Sequence, residues 1–392
     1  MVAGLGTQMI LVAVGWQVYA IHRDPFDLGL VGLMEFVPLL VLALPAGQLA
    51  DHVPRRMLVA VSLGLDIAIA CLLLVVTLSG AGTLWPFLAL AAASGASAAL
   101  SAPALRALPA ELVPPEMVPG AMALRSVAWQ GAVVVGPALG GVLFSLRPEV
   151  VYATSSALFL AGLACVLPLH HRTSARLPDS EAPTLASVVE GIRFLLRARM
   201  VLGAILLDLF AVLFGGAIAL APVFARSILD VGPIGLGALR TAPAAGALAA
   251  ALLLTRRPLR APAGPTLLVV VGLFGASMIV FGLSKWFPLS LAALAVSGFV
   301  DLFSVNIRST TVALVTPNHL RGRVTAVEMV FIGASNELGA FESGIVASLV
   351  GTVASVVAGG AATIAIALSW TRLFPSLAKL GRLEDLEPAP AH

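Results

Sequence analysis

Ten ionisable side chains stand inside stretches that are otherwise apolar: Glu35, Asp66, Arg125, Asp208, Arg240, Asp301, Arg308, Glu328, Glu337 and Glu342. A charge at the centre of a bilayer costs on the order of 2.5–3.5 kcal/mol by insertion scales, so each of them needs a partner or a task. Asp301 and Arg308 are seven residues apart, two turns along one helical face, with Ser304 between them. A desolvated carboxylate whose arginine partner comes and goes can take up and release a proton. Arg240 is placed to neutralise Asp208 or Asp301. The alternative is a static buried ion-pair network that holds helices together. Glu35 and Glu342 lie nearer one end of their stretches, where they reach water, and Glu328 and Arg106 lie near the other end, where long side chains snorkel. Asp66 is expected to have a structural partner, either Arg125 or a polar neighbour.

The elements that carry these groups are membrane spans. The 392 residues are 59% hydrophobic and only 11% charged, too few charges to cover a soluble protein of this length. The formal net charge is +3, but the arginines fall in short loops rather than in a basic domain, which argues against nucleic acid as a partner. Cys71 and Cys165 both sit inside apolar runs and suggest neither a disulfide framework nor a metal site. The first residues lack the basic start of a signal peptide and are expected to enter the membrane directly. About 20 apolar residues cross a bilayer, and twelve spans meet that length, at roughly 2–21, 28–49, 57–79, 84–107, 118–145, 149–169, 200–224, 231–254, 265–284, 287–313, 323–346 and 350–371.

One long polar segment separates the sixth span from the seventh, broken by Pro178 and Pro183 and amphipathic from Leu185 to Leu196. The expected organisation is an N-terminal six-helix bundle over 1–170, a cytoplasmic linker over 171–199, a C-terminal six-helix bundle over 200–373 and a tail over 374–392. Of the 23 lysines and arginines, fifteen fall on the side shared by both termini, four on the other side and four within spans. The positive-inside rule then puts both termini in the cytoplasm. The halves also repeat. At an offset of 202 residues, LVPPEMVPGAMA from Leu112 lies over LVTPNHLRGRVT from Leu314, and Arg106 meets Arg308. Near the same offset the Arg55-Arg56 pair meets Arg256-Arg257. Six plus six helices in parallel repeat is a layout of secondary transporters that bind substrate near the bilayer midplane.

GQLADHVPRR, from Gly47 to Arg56, resembles the G-x-L-A-D-R-x-G-R-[RK] signature of the major facilitator superfamily, in the loop between helices 2 and 3. Gly47, Leu49, Ala50, Asp51, Arg55 and Arg56 match it, while His52 replaces an arginine and Pro54 a glycine. GPALGG, from Gly136 to Gly141, is similar to the end of the antiporter signature in helix 5, although Gly131 is one residue out of register and Ala123 stands where another glycine would be. Together with GIRFLL in the linker and LRGRVTAV before helix 11, the whole chain resembles the drug/proton antiporter-like branch that includes bacterial enterobactin exporters.

That resemblance implies an all-α integral membrane fold of two six-helix bundles in the bacterial cell membrane. Helices 1, 4, 7 and 10 are then expected to line a central cavity, with Asp208, Asp301 and Glu337 as proton carriers. Gln8, Arg240, Asn306 and Arg308 are the expected cavity groups. Gly47, Asp51, Arg55 and Arg56 are expected to form a cytoplasmic gate, Asp51 facing the positive end of helix 11; for the arginine pair the alternative is a purely topogenic role. Gly136, Pro137, Gly140 and Gly141 give helix 5 a thin face for close packing. Gln17 and other single glutamines are more often inter-helix glue than ligands. The function implied is proton-coupled export of a small amphipathic, siderophore-like or drug-like compound by alternating access, as a monomer. Import by the same fold and a non-transporting membrane receptor or scaffold are the alternatives. The sequence contains no G-x-x-x-x-G-K-[ST], H-E-x-x-H or G-x-S-x-G motif, so neither an enzyme nor a cofactor is expected, and His170-His171 lacks further ligands for a metal.

Overall fold

The computed structural model describes residues 1–80, 82–169, 193–257 and 261–382. Most of the 171–199 linker and the 383–392 part of the tail lie outside the described residues. The regular structure described is helical: α1 (Val2–His22), α2 (Pro25–His52), α3 (Arg55–Leu78), α4 (Trp85–Leu112), α5 (Val118–Leu146) and α6 (Pro148–Val166), then α7 (Arg199–Gly215), α8 (Gly232–Arg256), α9 (Ala263–Leu283), α10 (Phe287–Val315), α11 (Asn318–Val350), α12 (Thr352–Leu373) and the short α13 (Pro375–Ala378). Helix is the form in which a chain satisfies its own backbone inside lipid.

Local chemistry sets the ends. Asp24 caps α2 by accepting from the Phe26 amide at 2.9 Å, and Pro25 occupies the first turn, where a missing N–H costs nothing. Arg23, at φ 56, ends α1 in the left-handed region. Among the described residues, eleven stretches are long and apolar enough to cross a membrane. α11 is the long helix that does not qualify, because Arg321, Arg323, Glu328, Glu337 and Glu342 interrupt its 33 residues. α7 is broken: after Gly216 the chain runs through a 3₁₀ turn (Ala217–Leu220), one α turn (Ala221–Val223) and a π turn (Phe224–Ile228) before α8.

The chain forms two compact units. The first comprises 1–183 with 222–241, and the second 184–221 with 242–392. Within the first, α1 packs on α5 and α6, α3 on α4 and α6, and α2 on α4. Within the second, α7 packs on α11 and α12, and α9 on α10 and α12, the same pairings six helices later. The correspondence reaches single residues. At Gly95 on α4 a Cβ would collide with the Glu35 carbonyl of α2, and at Gly298 on α10 it would collide with the Pro243 carbonyl of α8. The second unit also holds the start of the segment expected as a tail: Ala263 N donates to Gly381 O at 2.8 Å, Gly264 N donates to Leu380 O at 3.1 Å, and Leu377 is fully buried.

Candidate functional site

Four ionisable groups of α7, α10 and α11 converge inside the second unit: Asp208, Asp301, Arg308 and Glu328. Arg308, on α10, is 3% exposed and forms an ion pair with Asp208 of α7, itself 8% exposed. Its Nε also lies 3.4 Å from Oε1 of Glu328 on α11. Asp208 lines a small cleft of about 10 Å³ together with Asp301 and Ser304 of α10, Ala211 and Val212 of α7, and Val270, Val271 and Phe274 of α9. That volume is at the threshold for a single water. The seven-residue spacing of Asp301 and Arg308 therefore does bring both to one place, Asp301 on the cleft and Arg308 behind it on the pair with Asp208. Two carboxylates, Asp208 and Glu328, contact one guanidinium, and Asp301 stands on the adjoining cleft. Asp301 takes part in no hydrogen bond or ion pair among the described residues. Buried ion pairs gain from attraction only when the geometry offsets desolvation, and removing one partner exposes the whole cost.

Glu328 corrects an expectation. A snorkelling acid near a helix end would be exposed, whereas Glu328 is 9% exposed and paired. The reason is that α11 begins at Asn318, ten residues before Glu328, rather than near Arg323. Ten residues at about 1.5 Å each place it some 15 Å into the helix, too deep to reach out. Glu337, half-buried, lies nine residues further along, on the opposite face of α11. Asn306 is exposed and turned away from the face that carries Arg308.

The remaining candidates belong to the first unit. Arg240, on the part of α8 grouped there, acts electrostatically on Glu35, and the ion pair to Asp208 comes from Arg308. Gln8 packs its Cβ where a side chain on Gly136 would stand. Gln17 is inter-helix glue: it accepts from the Tyr152 hydroxyl of α6, and its amide donates to Thr77 Oγ1 of α3 at 3.1 Å. Asp66 has a polar neighbour, Ser97, at 2.6 Å.

The two glycine-containing motifs differ in how far their work is visible. On α5, a Cβ at Gly141 would stand 2.5 Å from the Pro233 carbonyl and 3.1 Å from Gly237 Cα, while one at Gly237 would stand 2.5 Å from the Pro137 carbonyl. Backbones this close exclude any side chain. Thr241 Oγ1 donates across the same seam to Val134 O at 3.1 Å. Nearby, the Tyr19 hydroxyl meets Ser227 Oγ at 2.8 Å, and the Arg226 guanidinium lies 5.3 Å from the Trp16 ring centre. The other motif spans the end of α2 and the start of α3, and the side chain of its Asp51 lies outside the described residues. The arginines are visible. Arg55 pairs with Glu111 of α4 at 2.8 Å, and Arg56 Nη1 donates to the carbonyls of Leu167, at 3.3 Å, and Leu169. Those carbonyls follow α6, where the helix dipole places partial negative charge, so Arg56 caps the helix. Among the described residues no group of three or more metal-ligating side chains occurs.

Comparison with known proteins agrees with this architecture. The nucleoside transporter NupG superposes with a TM-score of 0.67 at 15% identity, covering 95% of this chain and 96% of that one. A bacterial homologue of the human lysosomal transporter Spinster, inward-facing and unoccupied, gives 0.70 at 15% identity over 96% and 97%. In sequence, the multidrug efflux pump Tap of Mycolicibacterium fortuitum is 27% identical over 91% of this chain and 89% of its own length. The staphyloferrin A transporter of Staphylococcus aureus is 25% identical over 45% of this chain and 44% of its own. The sequence profile of the transmembrane secretion effectors matches residues 1–388. The chain is therefore a multi-pass membrane transporter of the bacterial cell-membrane type, not an enzyme, and it belongs to the transmembrane secretion effector family of the major facilitator superfamily.

Proposed function

We propose that this transporter exports a small amphipathic compound of drug or siderophore type by alternating access, driven by protons. The observation that carries the reading is the Asp208–Arg308–Glu328 network beside a cleft that also holds Asp301. A proton on one of these acids changes which carboxylate Arg308 holds, and that exchange moves α7 and α10 against each other. Export is supported by the efflux pump among the relatives and by the GPALGG stretch of α5. In this reading the chain has twelve spans, α11 among them, and both termini are cytoplasmic. Bundles over 1–170 and 200–373 flank the 171–199 linker and precede the 374–392 tail. Glu337 is a further candidate proton carrier, and Gln8, Arg240, Asn306 and Arg308 are candidates for the substrate. Gly47, Asp51, Arg55 and Arg56 form the cytoplasmic gate. The close seam of α5 against 232–241 is the contact that must part when the other face opens, and one chain is the working unit.

The test is uptake or efflux of candidate drugs and siderophores in proteoliposomes under an imposed pH gradient. Transport indifferent to the gradient, or unchanged in Asp208→Asn and Asp301→Asn, removes the coupling. Accumulation that follows the opposite direction establishes import by the same fold.

A further inference from the structure

Asp66 stands on α3, in the first unit, apart from the Asp208–Arg308 network of the second. Ser97 Oγ, on α4, lies 2.6 Å from Asp66 Oδ1 and 3.1 Å from the carbonyl oxygen of Ser62, one turn before Asp66. Ser97 is 2% exposed and Ser62 1%, so water supplies neither of them. A serine hydroxyl carries one hydrogen and a main-chain carbonyl carries none. If Asp66 were a carboxylate, Ser97 would face two acceptors with a single proton, and one close oxygen–oxygen approach would be left without any. The Ser62 hydroxyl cannot supply it, because it donates to Val59 O at 3.0 Å.

One arrangement satisfies both contacts. Asp66 carries a proton and donates it to Ser97 Oγ, and Ser97 donates its own proton to Ser62 O. The distances then describe a chain of two hydrogen bonds running in one direction. We infer that Asp66 is a proton-binding site, held as a carboxylic acid whose hydroxyl is relayed through Ser97 to the backbone of α3.

The charged surroundings agree. α3 packs against α4 and α6. On α3 the described charged groups besides Asp66 are Arg55 and Arg56, ten or more residues away and engaged with Glu111 and the end of α6. On α4, Arg106 and Glu111 lie nine or more residues beyond Ser97, over about 13 Å of helix. On α6, Glu149 sits at the first turn, and the contact between Cys71 and Ser156 places Asp66 further along. Glu35 of α2 meets α4 at Gly95, two residues from Ser97 and so on the other side of that helix. No cation among the described residues of these helices therefore faces Asp66 to hold it as an anion, and the proton does that work. Its loss would leave a half-buried carboxylate with only the Ser97 hydroxyl to donate to it, and the link from Ser97 to Ser62 O would break.

Infrared difference spectroscopy of the full chain in phosphatidylethanolamine–phosphatidylglycerol vesicles at neutral pH tests this directly. The expected result is a protonated-carboxyl C=O band that Asp66→Asn abolishes, that Ser97→Ala displaces and that Ser97→Thr restores. Asn keeps a donor toward Ser97, so Asp66→Asn is expected to fold. If it does not, Ser97→Ala in protein carrying isotope-labelled aspartate decides alone. A labelled C=O band that moves supports the relay, and bands that all stay in place overturn it. Loss of a carboxylate band in Asp66→Asn, with every protonated-carboxyl band retained, overturns it as well. None of these readouts depends on transport, so they stand or fall apart from the coupling assigned to Asp208 and Asp301.

Discussion

Arg308 of α10 holds Asp208 of α7 in a pair from which both side chains are almost wholly shielded. The same guanidinium reaches Glu328, so one cation joins three helices of the second unit. Arg308→Gln strands two buried acids, and the expected loss is about 3–5 kcal/mol of stability. Combining it with Asp208→Asn should lose less than the two single changes added together. Thermal unfolding of the four proteins in one detergent measures this, and strict additivity would show that the pair is not coupled.

Asp301 shares the cleft with Asp208 but, among the described residues, takes no part in an ion pair. Asp301→Asn should therefore leave stability within about 0.5 kcal/mol of the parent, the range of changes that remove no buried partner. Gradient-driven transport in proteoliposomes should fall to the level seen without a gradient. A variant that retains full gradient dependence assigns the proton elsewhere.

The α5 seam makes a steric prediction. Gly141→Val pushes a side chain into the Pro233 carbonyl and Gly237, with an expected cost of about 1–3 kcal/mol and loss of transport. Gly120, on the same helix with nothing within 4 Å of its Cβ position, is the control. Gly120→Ala should leave both transport and the melting temperature close to the parent. Equal effects at the two positions would mean that α5 responds to general helix properties rather than to the seam.

Arg56→Gln removes the cap after α6, and about 0.3–1 kcal/mol should go with it. Arg56→Lys should recover only part, because an ammonium is more strongly hydrated than the guanidinium whose Nη1 reaches both carbonyls. Arg55→Gln, whose pair with Glu111 is partly exposed, is expected to cost no more than about 1 kcal/mol. Melting temperatures across the three variants rank these effects.

Eleven of the twelve expected spans are legible because hydrophobic length is a property of the chain itself, and the repeat is legible because Leu112 and Leu314 begin matching stretches. That Asp301 and Arg308 share one side of α10 follows from helical spacing alone. The partners across helices did not follow. Nothing local marks Ser97 as the neighbour of Asp66, or Gly237 as the residue against Gly141, since neither pair shares a helix. Glu328 was misplaced for a simpler reason. Helix ends next to charged residues are weakly specified by hydropathy, and a start five residues earlier turned an end-lying acid into a buried one.

Arg56 also has a history within one round of synthesis. Its acceptors, Leu167 and Leu169, are 111 and 113 residues further along the chain. At roughly 5–20 residues per second, a nascent chain waits on the order of 6–23 s before they emerge. On the proposed orientation the guanidinium is, through that interval, a hydrated charge that would hold its end of α3 on the cytoplasmic side. Once α6 is inserted, the same group becomes a clasp on the finished bundle. On that orientation one side chain would first steer insertion and later fasten the product, so replacing it would act on biogenesis and on the mature fold at different times.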